Sequence, residues 1–116
     1  MNLTVALAQM SPKLGVLSAN IELHLDIIRQ AKEGGAELVI FPELSLTGYL
    51  LQDLVPDVAI NPAEASELQP LLEACREIAC VFGFVELSDQ FNYYNSAVYV
   101  AQGRIQHVHR KLYLPT

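Results

Sequence analysis

The chain has 116 residues, 52% of them apolar and 17% charged, with a formal net charge of -6. That composition suits one small globular domain, or part of a larger one, with a real core. The acidic balance argues against binding nucleic acid or anionic lipid, and no apolar stretch approaches the roughly 20 residues that cross a bilayer.

The start, Met1-Asn2-Leu3-Thr4, lacks the basic region and apolar core of a secretory signal. Cys75 and Cys80 are too few for a disulfide framework beside so much aliphatic core. A cytoplasmic protein with reduced thiols is expected.

Thr4 to Gln9 has the apolar, partly β-branched character of a buried strand, ended by Ser11-Pro12. Leu17, Ile21, Leu25 and Ile28 then recur at helical spacing, with Ser18 or Asn20 as N-cap and Gly34-Gly35 as the stop. A second buried strand, Glu37 to Phe41, follows at once, and strand-helix-strand order predicts an α/β layered domain. After the run Phe41 to Leu50 comes a loop of about ten residues, of a length that often marks a site, and Leu68, Leu71, Leu72, Cys75 and Ala79 then trace one face of a second helix. Pro70 starts or kinks that helix. Val81 to Val85 reads as a strand and Ser88-Asp89-Gln90 as a turn. Ser96 to Val100 and Arg104 to His109 read as a hairpin joined through Ala101-Gln102-Gly103.

Glu43 stands directly after the second strand, within Phe41-Pro42-Glu43-Leu44-Ser45-Leu46-Thr47-Gly48-Tyr49-Leu50. A carboxylate at the end of a rigid sheet is well placed for catalysis, although for an isolated Glu an N-cap or solvated loop position is the simpler reading. Enclosure by apolar neighbours would raise its pKa toward the range a general base needs. Lys111 ends a strand whose strict alternation places Ile105, His107 and His109 on one face and Gln106, Val108 and Arg110 on the other. It is either an edge lysine that discourages sheet pairing or a cation able to stabilise an oxyanion.

His107 and His109 share a strand face but have no third ligand at metal-site spacing, so they read as ordinary strand residues. Cys75 and Cys80 read as small buried hydrophobes. Asn95 reads as the organiser of a turn, and Glu64, Glu67, Glu73 and Glu77 as a solvated helix face.

Taken together, these segments resemble the nitrilase, or carbon–nitrogen hydrolase, superfamily. The likeness is carried by Phe41-Pro42-Glu43 with Leu46-Thr47-Gly48-Tyr49, Tyr94-Asn95-Ser96-Ala97, Gly103, and His109-Arg110-Lys111-Leu112-Tyr113-Leu114-Pro115. Val5-Ala6-Leu7-Ala8-Gln9 and Gly35-Ala36-Glu37-Leu38-Val39 also fit, so it runs the length of the chain in the family's order.

The resemblance implies a four-layer αββα sandwich (nitrilase-like) of which residues 1–116 are the N-terminal part. It also implies a Glu-Lys-Cys catalytic set acting on a small-molecule amide or nitrile, with no cofactor and no metal. Glu43 maps onto the general base and Lys111 onto the oxyanion-stabilising residue. Tyr49 becomes either a pocket residue that touches substrate or a core tyrosine. The family's nucleophile lies after the lysine motif and neither cysteine here matches it, so the chain is expected to stop short of it and to be inactive alone. A second family glutamate beyond the lysine is likewise absent. Family members commonly pair, which makes a homo-oligomer an expectation of the resemblance.

Leu46-Thr47-Gly48-Tyr49 followed by Gln52-Asp53-Leu54-Val55 is also similar to the glutaminase domain of glutamine-dependent NAD synthetases, which supplies ammonia to a synthetase. The rival from another class is a non-catalytic fragment or interaction module. Half a sandwich leaves a sheet face uncovered, so self-association of the isolated chain is expected.

Overall fold

The computed structural model describes residues 2–48 and 55–111. Among these, five strands form one sheet in simple sequential order: β1 (Val5–Leu7), β2 (Leu38–Ile40), β3 (Ala79–Leu87), β4 (Tyr93–Ala101) and β5 (Arg104–Arg110). β1, β2 and β3 run parallel, and β3, β4 and β5 are antiparallel neighbours. The parallel strands are joined through helical crossovers, α1 (Leu17–Glu33) first, then α2 (Val55–Val58) and α3 (Gln69–Ala74). This is the α/β layering that the strand-helix-strand order predicts. No helix of the described residues is long and apolar enough to cross a membrane.

α1 and α3 share one side of the sheet. Ile21 and Ile28 of α1 and Leu71 of α3 pack with Val39, Cys80, Phe82, Val98 and Val100 in a single buried cluster. Among the described residues no helix covers the other face of the sheet. Register places Leu7, Ile40, Val81, Tyr99 and His107 in one row across all five strands. In that row Leu7 is 74% exposed, Tyr99 41% and Ile40 36%. The sequence suggests that β1 and β2 are buried, but β2 is buried on one face only, through Val39, and β1 is merely half-buried there, through Ala6. Parallel strands with continuous apolar runs are built to be covered on both.

α1 starts one residue before Ser18, with Val16 at the cap position and no side-chain cap. The expected capping by Ser18 or Asn20 is thus corrected. Asn20 lies in the helix, buried, and its amide is spent elsewhere. Its Oδ1 accepts from Lys13 N–H (2.7 Å), while its Nδ2 donates to Lys13 O (2.7 Å) and Leu46 O (2.8 Å). Gly34 and Gly35 do end the helix.

α3 is shorter than its apolar spacing suggests. Pro70 sits in its first turn, as expected, but the helix stops at Ala74 and Ala79 already belongs to β3. Glu64, Glu67, Glu73 and Glu77 are all exposed yet do not share a helix face, since α3 contains Glu73 alone. Glu73 binds Arg76, and Glu77 reaches Lys32 of α1 at 2.8 Å.

The β4–β5 hairpin turns through Gln102 (φ 57°) and Gly103 (φ 74°), the pair of positive φ values that a primed two-residue turn requires. A β-bulge interrupts the ladder just beyond. Val100 pairs with Ile105 and Tyr99 with His107, so Gln106 is an extra residue without a partner across the ladder. Ile105 and His107 consequently face opposite sides, which corrects the strict alternation read from the sequence. Ile105 and Val108 pack on the core, whereas His107 and His109 lie on the open face.

Candidate active site

The chain leaves β2 through buried Phe41, whose N–H donates to Val81 O at 2.9 Å, and Pro42 then breaks the ladder. The next residues fold into a tight turn with Leu44 at φ 53°, closed by Gly48 N–H donating to Leu44 O at 2.7 Å. This turn lies on β3. Leu46 N–H donates to Gly83 O at 2.9 Å, and a Cβ placed on Gly83 would come within 2.5 Å of Leu44 N. Contact that close is available only to a glycine.

Glu43 projects from this turn over the open face of the sheet. Lys111, at the end of β5, brings its Nζ to 2.8 Å from Glu43 Oε1. Asn95 of β4 donates its Nδ2–H to the same oxygen at 2.7 Å. Lys111 is held in register by its backbone N–H, which donates to Asn95 O at 2.8 Å. The three residues border a pocket of about 380 Å³ whose floor includes Val81, Gly83 and Ala97. Two sequence candidates 68 residues apart thus meet in one pocket. Glu43 thus meets an ammonium and an amide at the edge of a pocket whose remaining lining, Phe41, Pro42, Val81, Phe82 and Ala97, is largely apolar.

The sequence pattern puts Asn95 in a turn, but it is a strand residue that contacts the candidate base. β4 begins earlier than its apolar run suggests, because Tyr93 and Tyr94 already pair with Leu87 and Glu86. On the helix side of the same hairpin, Glu86 is buried and accepts from Ser96 Oγ (2.7 Å), Arg110 Nε (3.0 Å) and Arg110 Nη2 (2.9 Å). The Arg110 hydrogen bonds hold the Glu86 carboxyl below its ordinary pKa, against burial, with Ser96 adding to the effect. The guanidinium also covers the ring of Tyr94 at 4.2 Å. Arg110 and Lys111, adjacent in sequence, therefore serve opposite faces of the sheet.

A buried polar chain behind the turn was not read from the sequence. His24 of α1 is fully buried and stacks on Phe41 with ring centroids 4.2 Å apart. Its Nδ1–H donates to Asn20 O (2.6 Å), which leaves Nε2 to accept the Ser45 hydroxyl (2.8 Å) in a neutral ring. Ser45 Oγ in turn accepts Gly83 N–H at 3.2 Å. Burial pushes the His24 pKa down to about 4, only partly opposed by the Asn20 bond. The signal was available, since His24 falls midway between Ile21 and Ile28 on the apolar stripe.

Cys75 and Cys80 are both buried, with their sulfurs 3.0 Å apart. The bond to Cys75 and burial both push the Cys80 thiol up, away from thiolate. Cys80 belongs to the helix-side core, across the sheet from Glu43. His107 and His109 share the open face as expected, with ring centroids 6.3 Å apart. Tyr49, the candidate substrate-binding residue, lies outside the described residues.

A family model for carbon-nitrogen hydrolases matches residues 4–116. The glutamine-dependent NAD(+) synthetase of Acinetobacter baylyi is 37% identical over 111 residues, which is 96% of this chain and 20% of that protein. The solved glutamine-dependent NAD+ synthetase of Acinetobacter baumannii, in complex with ADP, superposes with a TM-score of 0.77 at 36% identity, covering 96% of this chain and 21% of that one. An N-terminal amidase solved with a Gln-Gly peptide gives a TM-score of 0.76 over 97% of this chain and 28% of its own. At 24% identity it attests the fold alone. The single helical layer on a mixed sheet is consistent with one half of an αββα sandwich. This chain spans about a fifth of the length of the NAD synthetases it matches.

Proposed function

The chain belongs to the carbon–nitrogen hydrolase family, and on that premise we propose that it supplies the base and the oxyanion-binding cation of an amidase that acts through a cysteine thioester. The observation that carries the reading is the 2.8 Å approach of Lys111 Nζ to Glu43 Oε1 in one pocket on the open sheet face.

Glu43 takes the proton of a cysteine thiol, and the thiolate attacks the amide carbon. The C=O bond becomes a C–O⁻ oxyanion, which the Lys111 ammonium stabilises by charge and hydrogen bond. Collapse breaks the C–N bond, and ammonia leaves carrying the proton that Glu43 returns. Glu43 then deprotonates the water that cleaves the thioester. Asn95 steadies the carboxylate by donating to its Oε1. Cys75 and Cys80 are buried on the helix side of the sheet and do not serve as nucleophile, so the thiol comes from outside these 116 residues.

The amide of glutamine is the preferred substrate class. Its support is 37% identity, across 96% of this chain, to a glutamine-dependent NAD(+) synthetase. In that setting the released ammonia serves a synthetase reaction.

The test is ammonia release from L-glutamine by the intact polypeptide that carries this chain. Glu43→Gln and Lys111→Ala each lower kcat by about 100-fold or more, with unchanged circular dichroism. Turnover preserved in either variant removes that residue from the mechanism.

A further inference from the structure

We infer that His24 and Ser45 are positioning residues for the candidate base, forming a buried strut that sets where the Glu43 carboxylate stands relative to Lys111. The inference rests on the reading of Glu43 as the base, and goes beyond it by assigning a role to a buried pair that the chemistry does not touch.

Glu43 sits on a turn whose tip is exposed, so something beneath must fix its height and direction. The imidazole of His24 engages the chain on both sides of it. Two residues before, Phe41 stacks on the ring at 4.2 Å; two residues after, the Ser45 hydroxyl is bound at 2.8 Å. Ser45 is the joint where three elements meet. It donates to α1 through His24 Nε2, accepts from β3 through Gly83 N–H at 3.2 Å, and belongs to the turn itself. The far end of the strut is anchored as well, by His24 Nδ1–H on Asn20 O at 2.6 Å, while the Asn20 amide grips Leu46 O of the same turn at 2.8 Å.

No buried side-chain polar atom among the described residues lacks a hydrogen-bond partner. The chain Gly83 N–H to Ser45 to His24 to Asn20 O is complete only when the ring is neutral and protonated on Nδ1. A buried network with every donor and acceptor satisfied defines one geometry, because shifting any member leaves a neighbour unpaired. An ordinary apolar core residue at position 24 would fill the space without tying the turn to α1. The same register brings Glu43 Oε1 within 2.8 Å of Lys111 Nζ and 2.7 Å of Asn95 Nδ2. Displacement of a reacting group by about 1 Å can cost on the order of 100-fold in rate.

The deciding variant is Ser45→Ala in the intact polypeptide, since it removes one hydroxyl and leaves the ring stack and the core volume in place. With L-glutamine as substrate, kcat falls about 10- to 100-fold while KM stays within about twofold. His24→Phe, which keeps the stack and loses the acceptor, falls by a similar factor. His24→Gln, which returns an acceptor toward Ser45, recovers most of that loss. In a Glu43→Gln background Ser45→Ala costs nothing further, because no base is left to position. A role confined to stability would lower the thermal midpoint without this split between kcat and KM, and would persist in that background. Turnover lost in Glu43→Gln but kept in Ser45→Ala overturns this inference alone. Turnover that survives Glu43→Gln overturns both it and the reading on which it rests.

Discussion

Gly83 lies directly beneath Leu44, so close that a Cβ on the glycine would stand 2.5 Å from the Leu44 nitrogen and 3.3 Å from the Glu43 carbonyl carbon. The atoms in the way are backbone, which cannot swing aside as a long side chain would. Gly83→Ala therefore lifts the turn from β3 or bends the strand. We expect a loss of about 1–3 kcal/mol in urea denaturation, typical of overpacking. Ammonia release should fall more than tenfold as Glu43 leaves Lys111. Normal turnover in this variant would show that the turn can ride higher without harm.

The buried Glu86 carboxylate predicts an acid-side dependence of stability. Its folded pKa is depressed, chiefly by Arg110, so the contribution is present above its unfolded pKa and is lost as pH falls through the folded one. Glu86→Gln has no such proton to take up. Denaturation midpoints of the two proteins should differ at neutral pH and draw together on acidification below the ordinary glutamate range. Parallel curves would assign the difference to packing instead of charge.

His24 acts in a higher window. Its folded pKa of about 4 lies below the unfolded value of 6.5. Between these limits the unfolded chain binds a proton that the folded one refuses. Stability is therefore complete above pH 6.5, falls as pH drops toward 4, and levels below it. The integrated loss is roughly 3 kcal/mol. His24→Phe should abolish this component of the slope, measured by urea denaturation across that range.

The open sheet face predicts the behaviour of these 116 residues expressed alone. Leu7 at 74%, Tyr99 at 41%, Val5 at 39% and Ile40 at 36% exposure form an apolar surface on strands that expect cover on both sides. Sedimentation velocity should show self-association that increases with concentration. A monodisperse monomer across a hundredfold concentration range would contradict this.

Much of the site was legible in the sequence because it rests on short contiguous signals. Phe41-Pro42-Glu43 and His109-Arg110-Lys111 announce a strand end and a strand tip, and the sheet topology brings them together. The supporting residues were harder to see for physical reasons. His24 and Asn20 are polar residues inside an apolar helical stripe, and a hydropathy pattern assigns such residues to solvent unless their partners are known. Their partners, Ser45 and Leu46, come from 21 and 26 residues away. Asn95 was hidden because Tyr93 and Tyr94 extend β4 backwards through pairing with β3, a tertiary cause. The end of α3 at Ala74 is similarly imposed from outside, where Gly103 N–H caps Cys75 O at 3.0 Å.

Parity explains why the bulge at Gln106 matters to the chemistry. A strand assigns odd and even positions to opposite sides. Without an interruption, sealing Ile105 into the core would carry Lys111 to the helix side and turn Arg110 outward. One surplus residue reverses the count halfway along β5. Near the root of the strand Ile105 packs on the core, while at its tip arginine is delivered to Glu86 and lysine to Glu43, each to its own acid.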